Sequence, residues 1–233
     1  MNVFLKSQKK LTFCHKFLRF VLFTTLVTIC ALLIGCKKAV NRFDSVSEIR
    51  SNILLASNDE FSLRIYIGER EVPYSADGVA RETSPRFDAY MVAPNGTKTY
   101  NFHFKIGNET YGGEMSYDNV KGEYYYFCTL AVGQLDELSC EISYDEERVA
   151  LTAKSVLTEQ TLSPKQILQK LEEREADFFA GLTDRYGFAG EIYVRLIFED
   201  KPYYYIGVID RKGNASAFLL NAETGKLLAK RTK

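Results

Sequence analysis

Apolar and polar positions alternate along the chain between residues 60 and 160. The clearest example is residues 100–106, Tyr-Asn-Phe-His-Phe-Lys-Ile, where apolar residues occupy the even positions and polar residues the odd positions. Because successive side chains of a strand point to opposite faces, this period of two predicts a half-buried β-strand. Similar patterns predict further strands at about 61–65, 86–93, 110–117, 123–132, 138–144 and 149–156.

Turn sequences separate these strands, among them Asp77-Gly78 and Asn95-Gly96. Glycine, asparagine and aspartate favour the backbone conformations that tight turns need. About seven short strands without intervening helices predict an antiparallel β-sandwich over residues 60–160, and their spacing favours an immunoglobulin-like arrangement. The Cys–Trp–Cys signature of that fold is missing, since the chain has no tryptophan. The immunoglobulin-like expectation therefore depends on strand spacing alone.

The preceding segment, residues 36–59, has a helical pattern instead. Ser45 and Glu48 have the spacing of a capping box, in which two side chains satisfy the first main-chain N–H groups of a helix. Apolar residues follow at helical intervals, at Val46, Ile49 and Ile53. We therefore expect a short tether followed by a short helix in this segment.

A second helical pattern opens the C-terminal region, residues 161–233. Ser163 suits the N-cap, Pro164 suits the first helical position, and Gln166 completes a capping box. The apolar residues that follow predict one helix that continues to a glycine at 187 or 190. Strand patterns then recur at about 191–199, 203–210, 215–220 and 226–230. The whole chain is accordingly predicted to be α+β, with a β-sandwich followed by a small helix-plus-meander domain.

The first 35 residues have the layout of an export signal. Five basic residues and no acidic residue precede a short apolar run, Phe20–Ile34. This run of about 15 residues is shorter than the roughly 20 that are needed to cross a bilayer. It ends in Leu33-Ile34-Gly35-Cys36, which resembles the bacterial lipoprotein box.

The lipoprotein resemblance implies that residues 1–35 are cleaved and that the thiol of Cys36 receives a diacylglyceryl group. Two acyl chains anchor a protein durably where a single chain does not. The protein is then expected to be bacterial and extracytoplasmic, held at the cell membrane by lipid, with no cofactor besides this covalent diacylglycerol. The alternative is an uncleaved signal anchor, for which Lys37 and Lys38 would form the flank.

The end of the chain resembles the PepSY family. The resemblance depends on the strand before Asn221 and on Asn221-Ala222-Glu223-Thr224-Gly225, followed by a basic residue and a final aliphatic strand. Asn221 stands where that family usually has Asp. The match covers about 163–230. It implies a helix followed by a β-meander in an extracytoplasmic protein, and a link with peptidase inhibition.

Charge and cysteine content restrict the partners and the compartment. Cleavage after residue 35 would leave 198 residues with 25 Lys and Arg against 30 Asp and Glu, a formal net charge of −5. An acidic balance without a basic stripe argues against nucleic acid as a partner. Cys128 and Cys140 lie in consecutive predicted strands, so a hairpin is expected to bring them within disulfide distance. The alternative is a pair of buried free thiols.

No catalytic or metal-binding motif stands out in the sequence. His103 is the one histidine after the predicted signal, and its alternation with Phe102 and Phe104 places it on the outer face of a strand. Zinc sites need several ligands at set spacing, and a Ser-His-Asp triad would depend on His103 without a Gly-x-Ser-x-Gly turn. The acidic clusters at 145–147 and 172–177 are expected at a hairpin tip and on a solvated helix face. We therefore expect neither an enzyme nor a metal site.

Two aromatic runs in predicted strands remain as candidates for a binding surface. One face of each strand must be core, and the other can offer its rings to a ligand. The candidate surface residues are Tyr124, Tyr126, Tyr203 and Tyr205. The plain alternative is the general preference of tyrosine for strands. The expected function is non-catalytic binding or modulation of another envelope protein, such as a peptidase. The alternative is a binder of cell-wall glycan or peptide through the Tyr-rich strands.

Overall fold

The structure, a computed structural model, describes residues 41–232 of the 233-residue chain. Strands account for 54% of it and helices for 11%, so the predicted β-rich, mainly antiparallel character is confirmed. A 3-10 turn spans Arg42–Ser45, and the helices α1 and α2 are Pro164–Arg174 and Ala176–Gly181. The strands β1 to β15 are, in chain order, Val46–Ser57, Ser62–Glu71, Thr83–Val92, Asn101–Ile106, Glu109–Glu114, Ser116–Asp118, Glu123–Cys128, Glu137–Tyr144, Glu147–Ser155, Thr183–Asp184, Gly187–Phe188, Gly190–Phe198, Pro202–Asp210, Ala215–Asn221 and Leu227–Arg231.

Nine of these strands curl into a nearly closed barrel in the order β6-β7-β3-β2-β1-β9-β8-β4-β5. The end strands β5 and β6 are joined in the chain by Met115, whose N–H donates to the Tyr100 carbonyl at 2.8 Å. Large apolar side chains fill the interior, with the Phe87 and Phe104 rings stacked at 4.2 Å between centroids. This continuous curled sheet differs from the two separate sheets of an immunoglobulin-like sandwich, because hydrogen-bonded pairing continues through β1.

The C-terminal strands β12 to β15 form an antiparallel meander that is covered by α1 and α2 on one face. Strand β12 also pairs with β1, and this pairing is parallel. Leu171 and Phe179 from the helices are fully buried against Val194, Ile206 and Phe218 from the strands. A second apolar core therefore lies between the helices and the meander.

The helix predicted from 163 to a glycine near 187 is only partly correct. Its start is confirmed by the cap of Ser163, whose Oγ accepts a hydrogen bond from the Gln166 N–H at 3.3 Å. The helix is interrupted at Glu175, where the backbone leaves the helical region, and α2 ends at residue 181. Residues 183–188 form the β10–β11 hairpin instead. The Asp184 side chain accepts a main-chain hydrogen bond at 2.7 Å there and so stabilises a turn in place of a further helical turn.

Residues 45–53, predicted as a short helix, form most of β1, so that prediction is wrong. Bulges between Val46 and Glu48 and between Arg50 and Asn52 shift the alternation of side chains. The shifted spacing of the apolar residues imitates a helical period. One edge of β1 pairs with β2, and the other pairs first with β12 and then with β9. Pairing on both edges outweighs the local capping signal.

Strand β1 contributes to both apolar cores. Leu54 belongs to the core inside the barrel, whereas Val46 and Ile53 belong to the core of the helices and the meander. Residues 41–232 accordingly form one compact unit. The predicted border between 60–160 and 161–233 lies between the barrel strands and α1, but the C-terminal core also includes this first strand of the chain.

Phe87 and Phe127 provide a matched test of the barrel interior. They lie on the neighbouring strands β3 and β7, but Phe87 is fully buried and Phe127 is 62% exposed. We expect Phe87→Ala to lower the free energy of unfolding by about 3–5 kcal/mol, because it leaves a cavity in the stacked core. Phe127→Ala should lower it by less than about 1 kcal/mol. Chemical denaturation followed by circular dichroism measures both values, and equal losses would contradict the described barrel.

Candidate functional site

Arginine and aromatic side chains line the outer face of β1, β2, β3 and β7. On β2, β3 and β7 they point outward because these strands turn every second residue toward the barrel interior, and on β1 the bulge after Arg50 turns that side chain outward. The Arg50 guanidinium lies 4.0 Å from the centre of the Tyr66 ring, and the Tyr66 ring lies 5.6 Å from the Tyr90 ring. We name this surface the arginine–aromatic face and define it by Arg50, Tyr66, Arg86, Asp88, Tyr90, Tyr125 and Phe127.

The β7 end of the arginine–aromatic face is a groove of about 540 Å³. The rings of Tyr125 and Phe127 line it side by side, with centroids 6.4 Å apart and planes inclined by 10°. Arg86 lies 5.7 Å from the centre of the Phe127 ring and is held by Asp88 at 2.7 Å. The groove therefore presents exposed aromatic surface beside a cation in a fixed position.

Ion pairs border this face at both of its ends. At the β1 end, Arg195 donates hydrogen bonds of 2.9 and 2.6 Å to the two carboxylate oxygens of Glu48. At the β7 end, Arg64 contacts Glu123 at 2.7 Å. A surface with balanced charges and exposed rings favours a ligand that offers both polar and apolar groups, rather than a polyanion.

Burial affects the titration of two members of the face. It lowers the pKa of Arg50, an effect that the neighbouring Tyr66 and Glu48 oppose, and an arginine in this position remains a cation. Burial, and after it the charge of Asp88, raises the pKa of Tyr90. The Tyr90 hydroxyl therefore stays protonated and is able to donate a hydrogen bond to a ligand.

Tyr124 and Tyr126, predicted as surface residues, lie on the inward side of β7, so that prediction is wrong. Tyr124 is buried, and its hydroxyl donates to the main-chain carbonyl of residue 98 at 2.6 Å. The Tyr126 ring packs near Phe102, with 5.8 Å between centroids. The residues between and after them, at 125 and 127, face outward. The cause is the register of β7 against β3, which turns even-numbered side chains of β7 toward the barrel interior.

Tyr203 and Tyr205 are half-buried on the outer side of β13, while Tyr204 between them is buried under α1. The Tyr203 hydroxyl donates to Asp200 at 3.0 Å, and Tyr205 pairs across strands with Arg195. Strands β12, β1, β2 and β3 separate β13 from β7 in the sheet. The two predicted tyrosine pairs are therefore not brought together in one site.

Cys128 and Cys140 are both free thiols, so the predicted disulfide is absent. The two cysteines do not share a hairpin. Cys128 on β7 lies opposite Phe87 on β3, and Cys140 on β8 lies opposite Phe104 on β4 and Leu151 on β9. The short connection between β7 and β8 leads to a different part of the barrel, which sequence proximity does not reveal. Burial raises the pKa of Cys140 to about 12, so its thiol is unreactive in the folded protein.

The described part of the chain offers few candidates for a catalytic or metal-binding site. His103 lies half-buried on β4, opposite Glu141 on β8. Within residues 41–232, no group of three or more His, Cys, Asp and Glu side chains is placed to hold a metal ion. In the same range no helix is both long and apolar enough to cross a bilayer. The predicted lipidation residue Cys36 and the signal peptide lie outside the described residues.

Tyr66, Arg86 and Tyr90 carry no motif that marks them in the sequence. Their one signal is the alternation in residues 62–71 and 84–92, where polar or aromatic residues occupy the positions between buried apolar ones. The order of strands in the sheet, which places these residues side by side, cannot be read from that alternation.

Comparison of the chain with protein-family models, with curated proteins and with solved structures gives no match. The lipoprotein and PepSY resemblances therefore stay predictions.

Thiol alkylation tests the two free cysteines. In a chain that begins at Asn41, we expect Cys140 to react with iodoacetamide only after unfolding, because it is buried and its thiolate is disfavoured. Denaturation without reductant should then give two alkylated cysteines by intact mass. A mass that shows no alkylation until reductant is added would mean that the cysteines are bridged.

Proposed function

We propose that this is a lipid-anchored, extracytoplasmic bacterial protein that acts without catalysis, by binding another envelope protein through the arginine–aromatic face. The observation that carries the proposal is the exposure of the Phe127 ring, stacked on Tyr125 and adjoined by Arg86, in an open groove. Aromatic residues and arginine are the types enriched at protein interfaces and at their energetic centres.

The surroundings of the groove favour a polypeptide as its ligand. Val120 and Tyr117, which line the same groove, are 96% and 39% exposed. Ion pairs border this apolar surface, including Lys121 with Asp118 at 3.7 Å. An exposed apolar patch with a polar rim is typical of a protein–protein contact. A partner segment with apolar and charged side chains would match both the apolar surface and the ion pairs that border it.

The anchor and the C-terminal region complete the proposal. Lipid on Cys36 would leave four residues before Asn41 and so hold the folded part close to the membrane. The PepSY-like reading of the C-terminal domain is supported by its final turn. There, Asn221 Oδ1 accepts hydrogen bonds from the N–H groups of residues 223 and 224, and Gly225 has a φ of 70°. The envelope partner would then be a peptidase, in keeping with that resemblance.

The second candidate is a binder of cell-wall glycan or peptide. Tyrosine rings with hydroxyl groups can stack on sugar rings and donate hydrogen bonds, and Tyr203 and Tyr205 offer a second half-exposed row on β13. The two candidates differ in which surface is needed, because the glycan hypothesis also needs the tyrosine row on β13, whereas the protein hypothesis needs only the β7 groove.

The lipid anchor is tested by Cys36→Ser in the producing cell. We expect the parent to partition into the detergent phase and the variant, which lacks the thiol that receives lipid, to lose most of this partitioning. Fractionation and Triton X-114 extraction measure the change. Equal partitioning of parent and variant would mean that the apolar segment itself holds the protein in the membrane.

The binding face is tested by Phe127→Ala, with Tyr186→Ala as the matched control because Tyr186 is an exposed ring outside the face. Cross-linking in intact cells, followed by purification, identifies the envelope protein. Its affinity for each variant is then measured with the purified pair. We expect Phe127→Ala to weaken binding at least tenfold, as for loss of an aromatic anchor of about 1.4 kcal/mol or more, and Tyr186→Ala to change it less than about twofold.

Sedimentation with purified peptidoglycan distinguishes the second candidate. The protein reading predicts that the chain stays in the supernatant. Co-sedimentation that is lost in Tyr203→Ala, together with unchanged protein binding in Phe127→Ala, would favour the glycan reading.

A further inference from the structure

Two buried glutamates lie on either side of β1 at its N-terminal end. Glu71 ends β2 and is 1% exposed, and Glu191 lies near the start of β12 and is fully buried. Strand β1 pairs with both of these strands here, since Glu48 lies opposite Arg70 and Val46 opposite Ile192. The two carboxyl groups therefore approach one short stretch of β1 from its opposite edges.

Each of these carboxyl groups has one oxygen with a partner and one without. Glu71 Oε1 accepts a hydrogen bond from the Ser75 N–H at 2.9 Å, and Glu191 Oε1 accepts one from the Tyr193 hydroxyl. The Oε2 atoms of both residues are buried without a hydrogen-bond partner in the described part of the chain. A buried carboxylate with an unpaired oxygen is strongly disfavoured, and protonation is the usual relief.

The loop of residues 72–82 separates these carboxyl groups from solvent. Ser75 is held by Glu71, and the Gly78 N–H faces Glu191. Gly78 also packs so closely on the main chain of Asp210 that a Cβ there would lie 2.3 Å from its carbonyl oxygen. The Tyr74 ring lies 5.9 Å from the Tyr193 ring. These contacts place the loop against Glu191 and the ends of β12 and β13.

The charges that face the pair distinguish the two glutamates. Arg81, which pairs with Asp77 at 2.5 Å, also lies 3.8 Å from Glu71, so Glu71 has a cation within salt-bridge distance. No cation within residues 41–232 lies within salt-bridge distance of Glu191, and Arg195 is engaged by Glu48. Burial is the main cause that raises the pKa of Glu191, and the negative charge of Glu71 raises it further. The hydrogen bond from the Tyr193 hydroxyl acts in the opposite direction. The titratable and charged groups around the pair are Glu48, Arg70, Tyr74, Asp77, Arg81, Tyr193, Arg195 and Asp210.

We propose that Glu191 is a proton-binding site that fastens loop 72–82 to the sheet, and that the loop opens as Glu191 ionises. The closed loop binds the proton of Glu191 more tightly than the open loop, in which the carboxyl group is hydrated. The closed form is therefore most stable below the ordinary pKa of a glutamate, and this stability is lost as pH rises through the raised pKa. Opening would expose more of a loop that already carries Val72, Tyr74 and Val79 at the surface. The inference depends on neither the lipid anchor nor a partner.

Hydrogen exchange of the full chain in mild detergent tests this site. Mass spectrometry of peptides that cover residues 72–82 gives protection factors, corrected for intrinsic exchange, from about pH 5 to about pH 8. Between the ordinary pKa of a glutamate and the raised pKa of Glu191, protection of the loop should fall by about tenfold for each pH unit, and it should level off at higher pH. In Glu191→Gln, which keeps the shape of the neutral acid, it should change by less than about twofold over the same range. Glu82→Gln, at the exposed glutamate that ends the loop, should behave as the parent does.

If Glu191→Gln fails to fold, a titration of the parent protein still tests the proposal. Carbon-13 NMR with residue-specific assignment of the glutamate carboxyl signals should give the Glu191 carboxyl of the parent a midpoint above the ordinary value of about 4.3. The proposal is overturned if the Glu191 carboxyl titrates in the ordinary range. It is equally overturned if the loop keeps the parent's pH dependence in a folded Glu191→Gln protein.

Discussion

The extended conformation of β1 is the constraint on which the rest of the structure depends. Its main chain pairs on one edge with β2 and on the other with β12 and then β9, so nearly every backbone group of a central strand is satisfied. At the change of partner, the buried side chain of Asn52 donates to the Leu135 carbonyl at 2.9 Å and accepts from Ser155 at 2.7 Å. The two apolar cores are separate clusters of side chains, and this strand contributes residues to both.

The arginine–aromatic face is a consequence of the same strand. The bulge after Arg50 turns this side chain outward beside Tyr66, and its guanidinium also donates to the Leu196 carbonyl at 3.4 Å. Gly68 lies opposite on β2, where a Cβ would come within 1.9 Å of the Ile49 carbonyl oxygen. A glycine is needed there for β1 and β2 to approach each other at the bulge. The face is therefore positioned by main-chain geometry and not by side-chain packing alone.

Local signals predicted much of the fold where a single period or cap decides the structure. The alternation at 100–106 and the Ser163 cap both correspond to observed elements, β4 and α1. The prediction failed at β1, since bulges alter the period of side chains and pairing is a long-range property. It also failed at Tyr124, because alternation identifies two faces without saying which one is buried. The partners of Cys128 and Cys140 depend on strand order, which no local pattern contains.

The stability that the two apolar cores supply offsets the cost of burying Glu71 and Glu191. Apolar side chains of similar size would stabilise this junction more than two incompletely paired carboxyl groups. The two carboxyl groups destabilise loop 72–82 and not the cores, because this loop covers them. Segments of low local stability open first, while the stacked rings around Phe87 and Phe104 stay closed. Such a local opening changes the surface of the protein without disturbing the two cores. A proton-binding site at the junction of the two cores would control one such opening.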